Sequence, residues 1–339
     1  MKIAIFGPSR RVGVVVDNDV VDINGAYAKY VADTTDTARS TAAAALEVPA
    51  DLNSFIEQGA GALAGAKAAL AHLSANSITT GLDGERLVFA LDSVRLHAPI
   101  DGKSRVFAAL ANFADHMQAA ADNTASGSDK ATLSRLVSGG PKYFIKDPRV
   151  VSADGDDLQF PRRTDLLDYE AEVAVVLGKR GKDIAADDFG SYIYGYTLVN
   201  DWSIRDNVSF GPDFQYSKNF DGSATVGPWI VVDEGLDPQD IDVEARVNGE
   251  VRQSGNTKSM IHSFAALGEY LSRDSTLFPG DLISGGTPKG TAVDSSIRDS
   301  EGGFEDDSAF LNPGDVVEIS SRAIGSVTNT VTGTRTGKK

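Results

Sequence analysis

Asp168-Tyr169-Glu170-Ala171-Glu172-Val173-Ala174-Val175-Val176-Leu177-Gly178 is the stretch from which the fold and the chemistry of this chain are read. Its continuous apolar run, closed by glycine, predicts a buried strand. Alternate residues of a strand share a face, so Glu170 and Glu172 point the same way. Two carboxylates withdrawn from water together would cost several kcal/mol, on the order of an unpaired buried ion, unless a cation lies between them.

A second run, Tyr194-Gly195-Tyr196-Thr197-Leu198-Val199-Asn200-Asp201, predicts another strand that delivers Asp201 at its end, ahead of Trp202-Ser203-Ile204-Arg205-Asp206. Glu170, Glu172 and Asp201 then form an oxygen-only metal site. With no cysteine in the chain and no histidine near these strands, the donor set favours Mg²⁺, with Mn²⁺ or Ca²⁺ as alternatives, over Zn²⁺. The plainer reading of the two glutamates, solvated charges on an edge strand, stays open on those residues alone.

Composition narrows the function classes. The 339 residues are 41% hydrophobic, enough for a sizeable core in one large or two unequal domains. The formal net charge of -16 argues against an electrostatic grip on nucleic acid or on anionic lipid, and leaves a small molecule as the expected partner. The absence of cysteine suits a reducing compartment. Met1 to Pro8 reads as a short strand lacking the apolar length of a signal peptide, and no segment approaches the roughly 18 apolar residues of a membrane span. A cytoplasmic protein is expected.

Residues 1–97 read as a smaller N-terminal α+β domain, with strands near Lys2-Phe6, Gly13-Val16, Val20-Ile23 and Leu87-Ala90, and alanine-rich helices near 40–48 and 54–73. Residues 98–339 read as a second, mostly β domain of short apolar runs between Gly, Pro, Asn and Asp turns. One helix is expected there, Ser263 to Arg273, with Ser263 as N-cap and Phe264, Leu267 and Leu271 on its buried face. Asn248-Gly249 signals a hairpin.

Of the histidines His72, His97, His116 and His262, only His116 falls at a strand-to-helix turn, in Asn112-Phe113-Ala114-Asp115-His116. That placement suits a general base, although a surface or capping histidine is the plainer reading. Lys146 and Lys218 close apolar or aromatic stretches, and either suits an ammonium that offsets the carboxylates and holds an enolate or carboxylate oxygen. The turn Ser284-Gly285-Gly286-Thr287-Pro288-Lys289-Gly290 is suited to presenting backbone amides and the Thr287 hydroxyl to an anionic group. Gly59 to Gly65 lacks the strand and the spacing of a dinucleotide fingerprint and reads as a small-residue helix face. No nucleophile elbow, phosphate loop or HExxH helix occurs.

Taken in order, these segments resemble the fumarylacetoacetate hydrolase superfamily from about Val106 to Val331. The matching phrases include Asn112 to His116, Phe144-Ile145-Lys146, Asp168 to Glu172, Asn200 to Asp206, Lys218-Asn219-Phe220-Asp221, Gly227-Pro228-Trp229, Val247-Asn248-Gly249-Glu250, Gly286 to Gly290 and Leu311 to Asp315. The resemblance implies an α+β, mostly β fold with a mixed β-roll catalytic domain, a homodimer, and Mg²⁺ or Mn²⁺ on Glu170, Glu172 and Asp201. It implies a 2-oxo or 1,3-dicarbonyl acid as substrate, with His116, Lys146 and Lys218 as catalytic groups and Arg205, Gly286 and Thr287 around the substrate. Where many relatives carry a glutamate three residues after the histidine, this chain has Ala119; Asp122 or Glu250 are the acids expected to replace it. Phe113 and Val208 replace polar residues of the pattern and point to a less polar substrate.

The resulting expectation is a Mg²⁺-dependent hydrolase that cleaves a C–C bond of an acylpyruvate-like compound through a metal-stabilised enolate. A 2-oxo acid decarboxylase, a hydroxymuconate-type isomerase or a sugar-acid dehydratase is the alternative on the same site. A catalytically inactive ligand-binding relative is the second alternative.

Overall fold

The computed structural model describes residues 1–35, 37–123, 139–206, 214–233, 235–297 and 304–336. Val208, read above as a departure from the family pattern, lies outside them. A large mixed sheet runs in the order β4 (Val88–Ala90), β3 (Asp19–Asp22), β2 (Arg11–Val16), β1 (Lys2–Phe6), β14 (Ala224–Val231), β12 (Ile193–Asp201), β11 (Ala171–Leu177), β17 (Leu282–Ser284), β6 (Val106–Ala109), β7 (Tyr143–Lys146). Two short strands, β5 (Leu96–His97) and β8 (Val151–Ser152), pair with β1 and β14. A five-stranded sheet has the order β16 (Glu250–Asn256), β15 (Asp242–Val247), β18 (Val316–Ser321), β19 (Gly325–Thr332), β9 (Leu158–Gln159). A two-stranded ladder joins β10 (Leu167–Asp168) to β13 (Ser203–Ile204). The mostly β, α+β architecture matches the expectation. Among the described residues no helix is long and apolar enough to cross a membrane.

Strand β11 is the pivot, because it is buried on both faces and over its whole length. Its odd-numbered residues Val173, Val175 and Leu177 join a core built with Val243, Ala245 and Ile319 of the five-stranded sheet and Phe264, Leu267 and Leu271 of the helix Phe264–Ser272. Its even-numbered Ala174 and Val176 join a second core with Val12 and Val14 of β2 and Phe55 and Ala66 of the N-terminal helices. A continuous valine run is what a strand needs when both faces meet apolar layers. Strand β12 lies antiparallel to it, with Ala171 opposite Asn200 and Glu172 opposite Val199.

Residues 1–97 share this framework with the rest of the chain. Lys2 and Ile3 of β1 pair with Val231 and Ile230 of β14, and Ile3 packs in the same core as Val226 and Ile230. The expected strand over Val20-Ile23 stops at Asp22, whose side chain accepts the Gly25 amide at 3.1 Å and caps a helix over Ile23–Thr34 that the sequence reading left unassigned. The helix expected over 54–73 is two, Leu52–Gln58 and Ala60–Asn76, parted at Gly59 in the left-handed region (φ 54°). Ser263 caps its helix through the Ala266 amide as expected. Asn248 (φ 53°) and Gly249 (φ 83°) both take the left-handed conformation of a tight hairpin turn between Val247 and Glu250.

Candidate metal and catalytic site

Glu170, Glu172 and Asp201 converge, all buried, and each offers a carboxylate oxygen within 4.8 Å of the others. Glu172 lies on β11, Asp201 ends β12, and Glu170 immediately precedes β11. Glu170 is held against β12 by its amide to Asn200 Oδ1 (3.0 Å) and by the Asp201 amide to its carbonyl (2.9 Å). Ser284 Oγ donates to Glu172 Oε2. Burial, then the charges of Asp201 and Glu170, push the Glu172 carboxyl well above its ordinary 4.5. Burial also acts against an ionised Glu170, but Lys218, Arg205 and His116 outweigh it and hold that carboxyl low. Three hard oxygen donors, one of them driven toward its protonated form by burial and by the charges of the other two, fit a divalent cation of the Mg²⁺ or Mn²⁺ type.

Both predicted lysines reach this cluster. Lys218 Nζ bridges Glu170 Oε2 (2.6 Å) and Asp201 Oδ2 (2.9 Å). Lys146, 0% exposed on β7, donates to Asp201 Oδ1 and to the Ser223 carbonyl at 2.7 Å. Burial lowers the Lys146 pKa against the pull of Asp201, whereas for Lys218 the charges of Asp201 and Glu170 overcome burial and raise it. Arg205, expected beside the substrate, is bound to Glu170 Oε1 (2.5 Å) and, through Nε, to Asp168 Oδ2 (2.9 Å). In this arrangement it orients one carboxylate of the cluster.

Asp168 is a member of the site that the sequence reading did not single out. Fully buried, it accepts the Ala292 amide at 2.7 Å and the Val293 amide at 3.2 Å, tying Arg205 to the turn that carries Asp294. Burial pushes its carboxyl up against the opposing charge of Arg205. His116, on the helix Ala114–Asp122, places Nδ1 2.8 Å from Asp294 Oδ2. The same oxygen accepts the amides of Gly290 (2.9 Å) and Thr291 (3.3 Å), which fixes the carboxylate. Burial disfavours the imidazolium, but the Asp294 charge and hydrogen bond, helped by Glu170, prevail and raise the His116 pKa.

Asp294 thus takes the place that the sequence reading sought for Asp122 or Glu250. Asp122 instead accepts from Gln118 at 2.7 Å on the exposed side of its own helix. Glu250, with a 76% exposed side chain, lies 3.4 Å from Arg252. Asp294 stands 178 positions from His116, so no local spacing could reveal the pair. The one local signal was Thr291, three residues before Asp294 in a tight turn.

The glycine turn closes the site. Gly286 takes φ 87°, and a Cβ there would lie 3.1 Å from Asn112 Cβ, so glycine lets the turn press on the segment leading to His116. The Thr287 hydroxyl, expected to face substrate, donates to the Ala171 carbonyl (3.0 Å) and accepts from Gln253 Nε2 (2.8 Å). The backbone amides of Gly286 and Thr287, both buried residues, donate to no acceptor among the described residues. Successive backbone amides left without a protein acceptor are the kind of donors that an anionic group engages.

Residues 105–332 match the family of fumarylacetoacetate (FAA) hydrolase C-terminal domains. The oxaloacetate tautomerase YisK of Bacillus subtilis is 35% identical over 72% of this chain and 75% of its own. The 5-carboxymethyl-2-hydroxymuconate delta-isomerase of Mycobacterium smegmatis superposes with a TM-score of 0.58 at 32% identity, covering 74% of this chain and 83% of its own. A fumarylacetoacetate hydrolase from Exiguobacterium antarcticum matches almost end to end, with a TM-score of 0.68, 27% identity and coverage of 98% and 99%. With the carboxylate cluster on β11 and β12 and the ordered sequence phrases around it, these matches show that the chain belongs to the fumarylacetoacetate hydrolase superfamily.

Proposed function

We propose that the protein is a divalent-metal-dependent hydrolase that cleaves a C–C bond in a 1,3-dicarbonyl, acylpyruvate-like acid, with residues 98–339 as its catalytic part. The observation that carries this reading is the part-buried His116–Asp294 pair, an oriented base whose acid comes from a distant turn where Ala119 offers none. With Nδ1 turned to Asp294, Nε2 is the nitrogen left to take a proton from water attacking the distal carbonyl. Glu170, Glu172 and Asp201 would hold the metal, Mg²⁺ in the first instance and Mn²⁺ as the alternative. When bound, such an ion supplies Lewis-acid polarisation of substrate oxygens.

The chain's own groups do the rest. Lys218 keeps its ammonium charge beside the cluster, where negative charge builds as the C–C bond breaks, and Lys146 holds Asp201 from its other oxygen. The amides of Gly286 and Thr287 receive the carboxylate or oxyanion of the substrate. Arg205 and Asp168 hold Glu170 and the Asp294 turn in one network, so the base and the carboxylates keep their relative placement.

A second reading, keto–enol tautomerisation of a 2-oxo diacid, is favoured by the 35% identity to an oxaloacetate tautomerase. It uses the same base without water attack. The two separate in one experiment on the Mg²⁺- and Mn²⁺-loaded protein. Acylpyruvates are followed for loss of the dicarbonyl absorbance with release of two acids, and oxaloacetate for enol–keto exchange. Cleavage that disappears in His116→Asn supports the hydrolase; exchange without any cleavage sinks it in favour of the tautomerase.

A further inference from the structure

Strand β16 belongs to the five-stranded sheet, yet its middle presses on the glycine turn of the site at three points. A Cβ at Gly290 would lie 2.0 Å from the Arg252 carbonyl oxygen, and one at Gly255 2.5 Å from Pro288 Cβ. Glycine at both positions admits an approach that a side chain would block. Between these contacts sits Gln253, 0% exposed and with both functional atoms in use. Its Oε1 accepts the Ala171 amide at 2.9 Å, and its Nε2 donates to Thr287 Oγ1 at 2.8 Å and to the Pro288 carbonyl at 2.7 Å. Ala171 is the residue between Glu170 and Glu172, and Thr287 and Pro288 belong to the anion-accepting turn.

We infer that Gln253 is a positioning residue that sets the spacing between the metal-binding carboxylates and the Gly286–Thr287 amides. A primary amide is suited to this place, because it offers an acceptor on one side and two donors on the other. Glutamate keeps the acceptor and loses both donors; methionine keeps the approximate volume and loses all three bonds. The amide also fixes a proton. Since Nε2 donates into Thr287 Oγ1, the hydroxyl hydrogen is directed to the Ala171 carbonyl, and the turn meets a ligand with its backbone amides.

The inference rests on the reading of that turn as the seat of the substrate's anionic group, and the test keeps the two apart. Calorimetry would measure Mn²⁺ binding alone and then oxalate binding to the Mn²⁺-loaded protein, for wild type, Gln253→Met, Gln253→Glu and Thr287→Val. Thr287→Val breaks the same contact from the turn side, so the idea stays testable if a Gln253 variant fails to fold. The expected result is a Mn²⁺ dissociation constant changed by less than about threefold and an oxalate affinity lowered about tenfold, the scale of one lost buried hydrogen bond. The Gln253→Met, Thr287→Val double variant should be no weaker than its weaker parent. Unchanged oxalate affinity in the Gln253 variants overturns the inference. Loss of Mn²⁺ and oxalate affinity in equal proportion overturns it too, since that reports a generally loosened site. A wild type that binds Mn²⁺ but no oxalate overturns the underlying reading of the turn, and the inference falls with it.

Discussion

Replacing Glu172 with glutamine should make the metal-free protein more stable at neutral pH while removing its response to metal. Glu172 is 1% exposed, and its carboxyl is raised well above 4.5 by burial and by the neighbouring Asp201 and Glu170. The folded chain therefore keeps a proton that the unfolded chain releases. A raised folded-state pKa contributes stability in full below about pH 4.5, and that contribution is lost as pH climbs to the raised value. Inside that window the loss is at most about 1.4 kcal/mol per pH unit for one proton, so at most about 2.7 kcal/mol between pH 5 and 7. Glu170, whose carboxyl is held low, is ionised throughout that range and adds no slope. Asp168 and His116 are shared by wild type and variant and cancel in the difference. The assay is urea denaturation in EDTA at pH 5, 6 and 7, repeated with saturating Mg²⁺ or Mn²⁺. Wild type should lose stability relative to Glu172→Gln as pH rises in EDTA, and gain it back with metal, which takes the place of the proton. Parallel pH curves in EDTA, or equal stabilisation of both proteins by metal, would refute the reasoning.

Asp294→Asn should lower kcat about a hundredfold or more. His116 acts as a base only when neutral, and Asp294 is the main group raising its pKa, so the acidic limb of the kcat/KM profile should move to lower pH in the variant. A limb that stays in place would show that Asp294 does not set the state of His116. Gly290→Ala combines a left-handed backbone (φ 113°) with a collision at the Arg252 carbonyl, and should destabilise the fold by about 3 kcal/mol in urea titrations. A neutral result there would mean that β16 does not press on the turn. Asp281→Ala removes a buried acceptor of the Arg105 amide (2.9 Å), the Arg105 guanidinium (2.5 Å) and the Phe278 amide (3.0 Å). Its loss should cost about 3–5 kcal/mol, and a shift below about 1 kcal/mol would show that the pair is dispensable.

What could be read from the residues was local. The valine run of β11 announced burial on both faces, because a strand covered on one side alone would have alternated. The hairpin at Asn248-Gly249 and the cap at Ser263 were legible since each depends on the conformational chemistry of one or two residues. The three carboxylates were legible because two share one strand face and the third ends the strand beside it. The remaining site was not, because its contacts close long loops. Asp294 reaches His116, Gln253 reaches Ala171, and Asp168 reaches the Ala292 and Val293 amides, across gaps in which no periodicity relates the partners. The Thr287 hydroxyl shows a further limit: composition suggested a donor for substrate, and only the position of Gln253 reveals that its proton is already engaged. The helix Ile23–Thr34 went unassigned because its buried side, Ile23, Ala26, Tyr27, Ala28 and Val31, is mostly alanine and aromatic, with Gly25 in its first turn, a weak signal directly after the strands β1 to β3.

The pairing of β1 with β14 has a consequence for how this chain comes into being. On the ribosome the hairpin of β1 and β2 is complete long before its partner edge at Ile230 and Val231, which emerges more than two hundred residues later. At about 5–20 residues per second, the N-terminal strands wait roughly ten to fifty seconds with an apolar edge open to any passing strand. Slow translation and crowded polysomes are therefore the conditions under which this protein is most exposed to misassembly, well before the residues of its candidate site have met.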